Sequence, residues 1–222
     1  TFDSSLSINV LIEDGTPITK GDVVFTVHGK TISILQTERL VLNFMQRLSG
    51  IATQTHEYVK LLEGTHTKIL DTRKTTPGMR LLEKYAVKTG GGENHRIGLY
   101  DMILIKDNHI DYAGGVKAAI AKTKEYLLQN NLDLQIVVEA RTMQDIADIL
   151  TFTDIYRILI DNFTPEQTKE AIAFISGRCK TESSGGITKE SIRAYAEAGV
   201  DYISVGALTH QIRSLDLSLK AF

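Results

Sequence analysis

From Thr67 onward the sequence alternates short apolar runs with amphipathic helical segments, a pattern that few architectures accept. The runs are Lys68-Ile69-Leu70-Asp71, Ala86-Val87-Lys88, Met102-Ile103-Leu104-Ile105, Ile136-Val137-Val138-Glu139, Ile158-Leu159-Ile160-Asp161, Cys179-Lys180-Thr181-Glu182 and Tyr202-Ile203-Ser204-Val205. Between most of them, over residues 115–129, 142–150, 165–175 and 188–198, apolar residues recur with helical period. Thr164-Pro165 places an N-cap residue before a proline in the first turn. Short strands that are apolar throughout are buried on both faces, and βα repeats bury them by setting helices outside a parallel sheet. Seven such units predict a closed or nearly closed (β/α) barrel, with a doubly wound open sheet as the alternative.

The chain before Thr67 reads differently. Alternation over residues 7–12, 23–29 and 31–35, broken by Glu13-Asp14-Gly15, predicts a small antiparallel sheet. From Thr37-Glu38 a helical pattern follows through Leu40, Val41, Phe44, Met45 and Leu48. Ser49-Gly50 is expected to interrupt it, and a second helix is expected over 51–63 with Gly64 as its C-cap. The division predicted is an N-terminal α/β domain over residues 1–66 and a barrel domain over 67–222.

The polar residues that follow the apolar runs carry the functional reading. In a barrel the C-terminal strand ends share one face, where active sites sit. Those ends lead into Asp71-Thr72-Arg73-Lys74-Thr75-Thr76-Pro77-Gly78, Gly90-Gly91-Gly92-Glu93-Asn94-His95-Arg96, Lys106-Asp107-Asn108-His109, Glu139, Asp161-Asn162, Ser184-Gly185-Gly186 and Gly206. Arg73, Lys74, Arg96 and Lys106 make a cationic ring with His95 and His109 beside it. Residues 68–109 hold eight Lys/Arg against five Asp/Glu, although the whole chain sums to −2. Such a cup suits a small polyanion, with arginine forks for carboxylate or phosphate and lysines as mobile charges. Ser184, Gly185 and Gly186 offer backbone N–H groups ahead of a helix, and Gly206 lies at the strand end that completes phosphate sites in many barrels. Glu139 and Asp161 suit ribose hydroxyls or a hydrated Mg²⁺.

Other classes are excluded. A near-neutral balance does not fit a generally basic nucleic-acid binder. No apolar run reaches the length of a membrane span. The single cysteine, Cys179, forms neither an internal disulfide nor a zinc cluster, and is expected to pack in the core of a cytoplasmic protein. The glycine triplet lacks the spacing of a dinucleotide fingerprint, and Asn162-Phe163-Thr164 is an accidental sequon in that compartment.

Five stretches together resemble the quinolinate phosphoribosyltransferase family. They are Glu38-Arg39-Leu40-Val41-Leu42-Asn43 through Leu48-Ser49-Gly50-Ile51-Ala52-Thr53, Asp71-Thr72-Arg73-Lys74-Thr75-Thr76-Pro77-Gly78-Met79-Arg80, Gly90-Gly91-Gly92-Glu93-Asn94-His95-Arg96, Leu104-Ile105-Lys106-Asp107-Asn108-His109 and Ser184-Gly185-Gly186-Ile187. The resemblance implies an α/β fold: a seven-stranded open (β/α) barrel preceded by an α/β sandwich domain, here incomplete at its start. It implies a homodimer or higher homo-oligomer with shared active sites, in which Arg39 is lent to the partner's site.

The activity so implied is a pentosyl transfer from phosphoribosyl pyrophosphate to quinolinate. It releases CO₂ and pyrophosphate, forms nicotinate mononucleotide for NAD biosynthesis, and requires Mg²⁺. Arg39, Arg73, His95, Arg96 and Lys106 would then hold the two carboxylates. Lys74 and Lys106 would reach sugar phosphates, while Ser184, Gly185, Gly186 and Gly206 hold the 5′-phosphate. Glu139 and Asp161 would serve the ribose and the metal, and with Lys74 and Lys106 form the catalytic set. The rival readings are a nicotinate phosphoribosyltransferase that does not decarboxylate, a paralogue from molybdenum-related gene clusters, a non-catalytic phosphate sensor and a sugar-phosphate isomerase.

Overall fold

The computed structural model describes residues 2–222. Two short strands, β1 (Ser7–Val10) and β2 (Phe25–His28), pair antiparallel, with Ser7 opposite His28. Helix α1 (Thr31–Leu61) follows without a break. The expected third strand over 31–35 is thus the first turn of α1, because its apolar residues belong to a helical stripe that continues unbroken. Ser49-Gly50 likewise does not end a helix. Gly50 is buried there because the C-terminal tail crosses it: a Cβ at this position would stand 2.4 Å from the Arg213 carbonyl oxygen. The tail is pinned by Leu215 N donating to Gln46 O at 3.0 Å and by Gln46 Nε2 donating to Leu217 O at 2.9 Å.

Six strands form the parallel sheet: β3 (Lys68–Leu70), β4 (Ile103–Ile105), β5 (Ile136–Ala140), β6 (Arg157–Asp161), β7 (Lys180–Ser184) and β8 (Tyr202–Ser204). Their order is β3-β8-β7-β6-β5-β4. First strand beside last is the order of a barrel, opened here between β3 and β4, and it is not that of a doubly wound sheet. The expected strand at Ala86-Val87-Lys88 is instead inside helix α2 (Arg80–Thr89), where Ala86 and Val87 form its buried face. The seventh position is taken further along the chain. Glu93 bridges Leu70 in parallel fashion, with Glu93 N donating to Ile69 O and Asp71 N donating to Glu93 O. Gly90 makes this possible, since a Cβ there would meet the Ala52 carbonyl of α1 at 2.3 Å.

The remaining helices are α3 (Asp107–Ala113), α4 (Val116–Gln129), α5 (Met143–Ile149), α6 (Pro165–Ile175), α7 (Ile192–Glu197) and α8 (Ala207–His210). Thr142 and Thr164 cap α5 and α6 by accepting from the backbone N–H of Asp145 and Gln167. Alternation along the strands divides the side chains between two faces. Ile105, Val138, Ile158 and Ile160 pack outward among α3–α6, together with partly buried Cys179. A second apolar cluster joins α1 to β8, α7 and α8 through Ile51, Tyr58, Ile203 and Leu208. On the inward face Leu104, Val137 and Leu159 form an apolar plug. Arg157, Glu139, Asp161, Glu182 and Ser184 share this face with them, so much of the interior of the sheet is polar or charged.

Candidate active site

Above the apolar plug, the strand ends open into a cleft of about 770 Å³, the size of a small-molecule site. It is lined by Lys74 from the loop after β3, Lys106 after β4, Glu139 of β5 and Asp161 of β6. Ser184, Gly185 and Gly186 follow β7, and Gly206 follows β8. Eight of the residues singled out from sequence therefore meet in one place, although they span more than half the chain.

Local structure explains how each is presented. Lys106 is the N-cap of α3; its backbone N–H donates to His109 Nδ1 at 2.9 Å. His109 therefore fixes the turn that presents Lys106. Asp107 N donates to Glu139 Oε1 at 3.3 Å, which ties the same turn to β5. Gly185 has φ +99°, and a Cβ on it would lie 2.2 Å from Asn162 Oδ1. Only glycine permits the β7 loop to lie this close to the β6 end, where Asn162 N donates to Ser184 O at 2.9 Å. The run after Gly186 turns once before α7 begins at Ile192, so α7 starts later than expected and the cleft wall is loop backbone rather than its first turn.

The cleft sets strand-end carboxylates against the lysines of the neighbouring loops. Burial raises the Glu139 carboxyl above its ordinary value, and Asp161 adds to the shift while Lys106 opposes it. Burial also raises Asp161, against the pull of Lys106. Two half-desolvated carboxylates that resist ionisation are a donor set for a divalent cation that keeps most of its water and takes its other oxygens from a substrate. Among the described residues no group of three or more His, Cys, Asp or Glu side chains is placed to hold a metal; Glu139 and Asp161 are the strand-end carboxylates of the cleft, with Asp107 and Glu190 also in its lining.

Four singled-out residues lie outside the cleft lining. Arg73 and Arg96 stand near each other to one side. Arg73 Nη1 is 3.5 Å from Gly98 O, and Arg96 Nη1 is 3.4 Å from Met102 O. Burial lowers the Arg96 guanidinium and Arg73 lowers it further. An anion taken up between the two guanidiniums would relieve that repulsion. His95 is buried, with Nδ1 accepting from Arg96 N at 2.7 Å and Nε2 3.3 Å from Glu182 Oε2, off the line of a good hydrogen bond. It belongs to a buried chain: Lys84 bonds Asp71 and the His95 carbonyl, and Glu182 pairs with Arg157 at 2.7 Å. Burial would raise Glu182, but His95 and Arg157 together hold it below its ordinary value. Arg39 is exposed on α1, eight residues or about 12 Å along the helix from Arg47, and does not line this chain's own cleft.

The cleft also includes residues that the sequence did not single out, among them Thr72, Lys189 and His210. His210 is the last residue of a four-residue helix opened by Gly206; a Cβ at Gly206 would lie 2.9 Å from His210 Nε2. Its signal was the Gly206-Ala207-Leu208-Thr209-His210 run, too short to register as helical period.

A family model described as Quinolinate phosphoribosyl transferase, C-terminal domain, matches residues 51–220, and that for the N-terminal domain matches residues 1–49. The mitochondrial quinolinate phosphoribosyltransferase [decarboxylating] 2b of Nicotiana tabacum is 44% identical over 232 residues, covering 98% of this chain and 66% of the relative. The probable nicotinate-nucleotide pyrophosphorylase [carboxylating] of Bacillus subtilis (strain 168) is 46% identical over 208 residues, covering 93% and 70%. The crystal structure of NadC from Streptococcus pyogenes superposes with a TM-score of 0.93 at 40% identity, covering 99% of this chain and 76% of that one. The chain thus spans about two thirds of the length of the first of these relatives.

Proposed function

Because the chain belongs to the quinolinate phosphoribosyltransferase family, we propose that it transfers phosphoribosyl from phosphoribosyl pyrophosphate to quinolinate with decarboxylation, yielding nicotinate mononucleotide, pyrophosphate and CO₂ for NAD biosynthesis. The observation that carries this reading is the joint placement of an acidic pair, two lysines and a glycine-rich phosphate loop in one cleft, with two guanidiniums beside it.

Quinolinate brings two carboxylates, which Arg73 and Arg96 would take, with Lys106 reaching from the end of β4. The 5′-phosphate would sit on the backbone of Ser184, Gly185 and Gly186 and against Gly206, with Lys74 overhead. Glu139 and Asp161 would hold the ribose hydroxyls and, through water, Mg²⁺. When bound, the ion supplies charge neutralisation on the pyrophosphate. The pyridine nitrogen attacks the anomeric carbon as the C–O bond to pyrophosphate breaks, and the acidic pair faces the developing oxocarbenium charge. The pyridinium so formed accepts the electron pair released when the 2-carboxylate leaves as CO₂, and a proton from water fills that carbon. No side-chain nucleophile enters either step, and positioning accounts for most of the barrier lowered.

His95 keeps a place in this reading as the residue whose backbone and ring set the Arg96 side of the base subsite. Arg39, too far along α1 to serve its own cleft, would serve that of a second copy in a homodimer or larger homo-oligomer. The division into an N-terminal domain over residues 1–66 and a barrel over 67–222 accommodates that exchange. A cytoplasmic location completes the reading, and among the described residues no helix is long and apolar enough to cross a membrane.

The test is direct. The protein is mixed with quinolinate, phosphoribosyl pyrophosphate and Mg²⁺, and nicotinate mononucleotide and ¹⁴CO₂ from labelled quinolinate are measured. Formation of both in equal amounts is expected. Product from nicotinate but none from quinolinate would replace this reading with that of a non-decarboxylating phosphoribosyltransferase.

A further inference from the structure

The loop after β3 carries two cations that face different substrates in the reading above: Arg73 toward the dicarboxylate and Lys74 toward the phosphates. Adjacent residues on an exposed loop have no intrinsic reason to stay apart. The hydrogen bonds around them show two separate attachments. Arg80, in the first turn of α2, donates from Nη2 to Arg73 O at 3.3 Å, from Nη1 to Ile97 O at 3.0 Å and from Nε to Thr75 Oγ1 at 3.1 Å. It therefore joins the Arg73 backbone to the chain immediately after Arg96. Arg47, on α1, takes the other side. Its Nε donates to Glu83 Oε1 at 2.8 Å, and its Nη2 donates to Thr76 Oγ1 at 2.8 Å and to Thr209 O at 3.0 Å. Glu83 is fully buried and accepts from Thr76 N at 3.1 Å through its second oxygen. Thr209, also fully buried, donates from Oγ1 to Lys74 O at 2.8 Å. This second group joins the Lys74 backbone to α8, the helix that Gly206 caps and that ends at His210.

No residue is common to the two sets of anchors, and each links one cation to the rest of its own subsite. A buried carboxylate whose partners among the described residues are Arg47 and a loop N–H is an expensive group to keep for packing alone. We infer that Arg80 and the Arg47–Glu83 pair are positioning residues that hold one loop in two independent clamps, one for each substrate. The inference rests on the proposed function for the identity of the two ligands.

The experiment measures equilibrium binding by calorimetry, with pyridine-2,3-dicarboxylate and with ribose 5-phosphate plus Mg²⁺ as separate probes, on the wild type and on Arg47→Lys, Glu83→Gln and Arg80→Lys. Lysine at 47 keeps a charge for Glu83 but lacks the fork that reaches Thr76 and Thr209 together. Arg47→Lys and Glu83→Gln are expected to weaken ribose 5-phosphate about tenfold and to leave the dicarboxylate within twofold; Arg80→Lys is expected to do the reverse. Melting temperatures accompany each measurement, since a merely structural role would lower them while weakening both ligands alike. Equal weakening of both ligands in all three variants, or no weakening in any, overturns the two-clamp inference. A wild type that binds ribose 5-phosphate and no dicarboxylate overturns the reading of the substrate on which it rests.

Discussion

Lys74 lies across Gly206: a Cβ added to the glycine would stand 3.2 Å from Lys74 Cδ. The residues are far apart in the chain, yet β3 and β8 pair in parallel, so the loop after one strand passes over the start of the next helix. Gly206→Ala would press both Lys74 and His210 outward. Both are ends of flexible side chains, so the fold should accommodate the methyl at a cost of about 1 kcal/mol. The expected result is a KM for phosphoribosyl pyrophosphate raised roughly fivefold, with the KM for quinolinate nearly unchanged and the melting temperature lowered by about 2–4 °C.

Lys106 is exposed at the head of α3, and among the described residues none forms a salt bridge with it, so its removal costs the fold little. Lys106→Ala should lower kcat by about 100-fold or more, the range found when one preorganised charge is removed from a reacting centre. Near wild-type turnover, measured as CO₂ release, would contradict the site assignment.

The acidic pair makes a prediction about pH. Burial and mutual repulsion raise Glu139 from 4.5, and burial raises Asp161 from 3.8. In the window between those ordinary values and the raised ones, the folded chain binds more protons than the unfolded chain. Their contribution to stability therefore declines as pH rises through that window and levels off above it. Glu139→Gln and Asp161→Asn should each melt higher than the wild type near neutral pH while losing activity, and the gap should close in acid. Thermal melts over pH read this directly. Added Mg²⁺ with pyrophosphate should raise the wild-type melting temperature more than that of either variant.

Gly50 reverses an ordinary rule. Alanine in place of a helix-interior glycine normally adds up to about 1 kcal/mol of stability. Here the added methyl meets the Arg213 backbone, which cannot rotate away as a side chain would. Gly50→Ala should therefore destabilise by about 1 kcal/mol net in urea unfolding. Removal of residues 212–222 from the same variant should turn the change favourable.

Six of the seven strand-end positions read from sequence lie where expected, because runs such as Ile136-Val137-Val138 and Ile158-Leu159-Ile160 are apolar on both sides and have few other uses. Ala86-Val87-Lys88 misleads for the same reason: three apolar or amphipathic residues fit a strand or one face of a helix equally well, and in the fold Ala86 and Val87 join Glu83 and Lys84 on the buried face of α2. Thr31-Ile32-Ser33-Ile34-Leu35 fails likewise, since alternation over five residues is too short to exclude the start of α1.

What the sequence determined by itself was local or periodic. It determined the βα rhythm, the cap at Thr164, the glycines that the β7 loop requires, and the set of charged residues at strand ends. Only the tertiary structure decided how those charges divide. Lys74, Lys106, Glu139 and Asp161 share a cleft with Ser184 and Gly206, whereas His95 turns inward to Glu182 and Arg39 is exposed on α1 outside that lining. The physical reason is that burial and ion pairing depend on distances between segments far apart in the chain. Arg47 and Thr209, separated by 162 positions, meet at 3.0 Å only because α1 packs against α8. A charged side chain carries the same letter whether it faces a ligand, a carboxylate or water, and the fold alone supplies its partner.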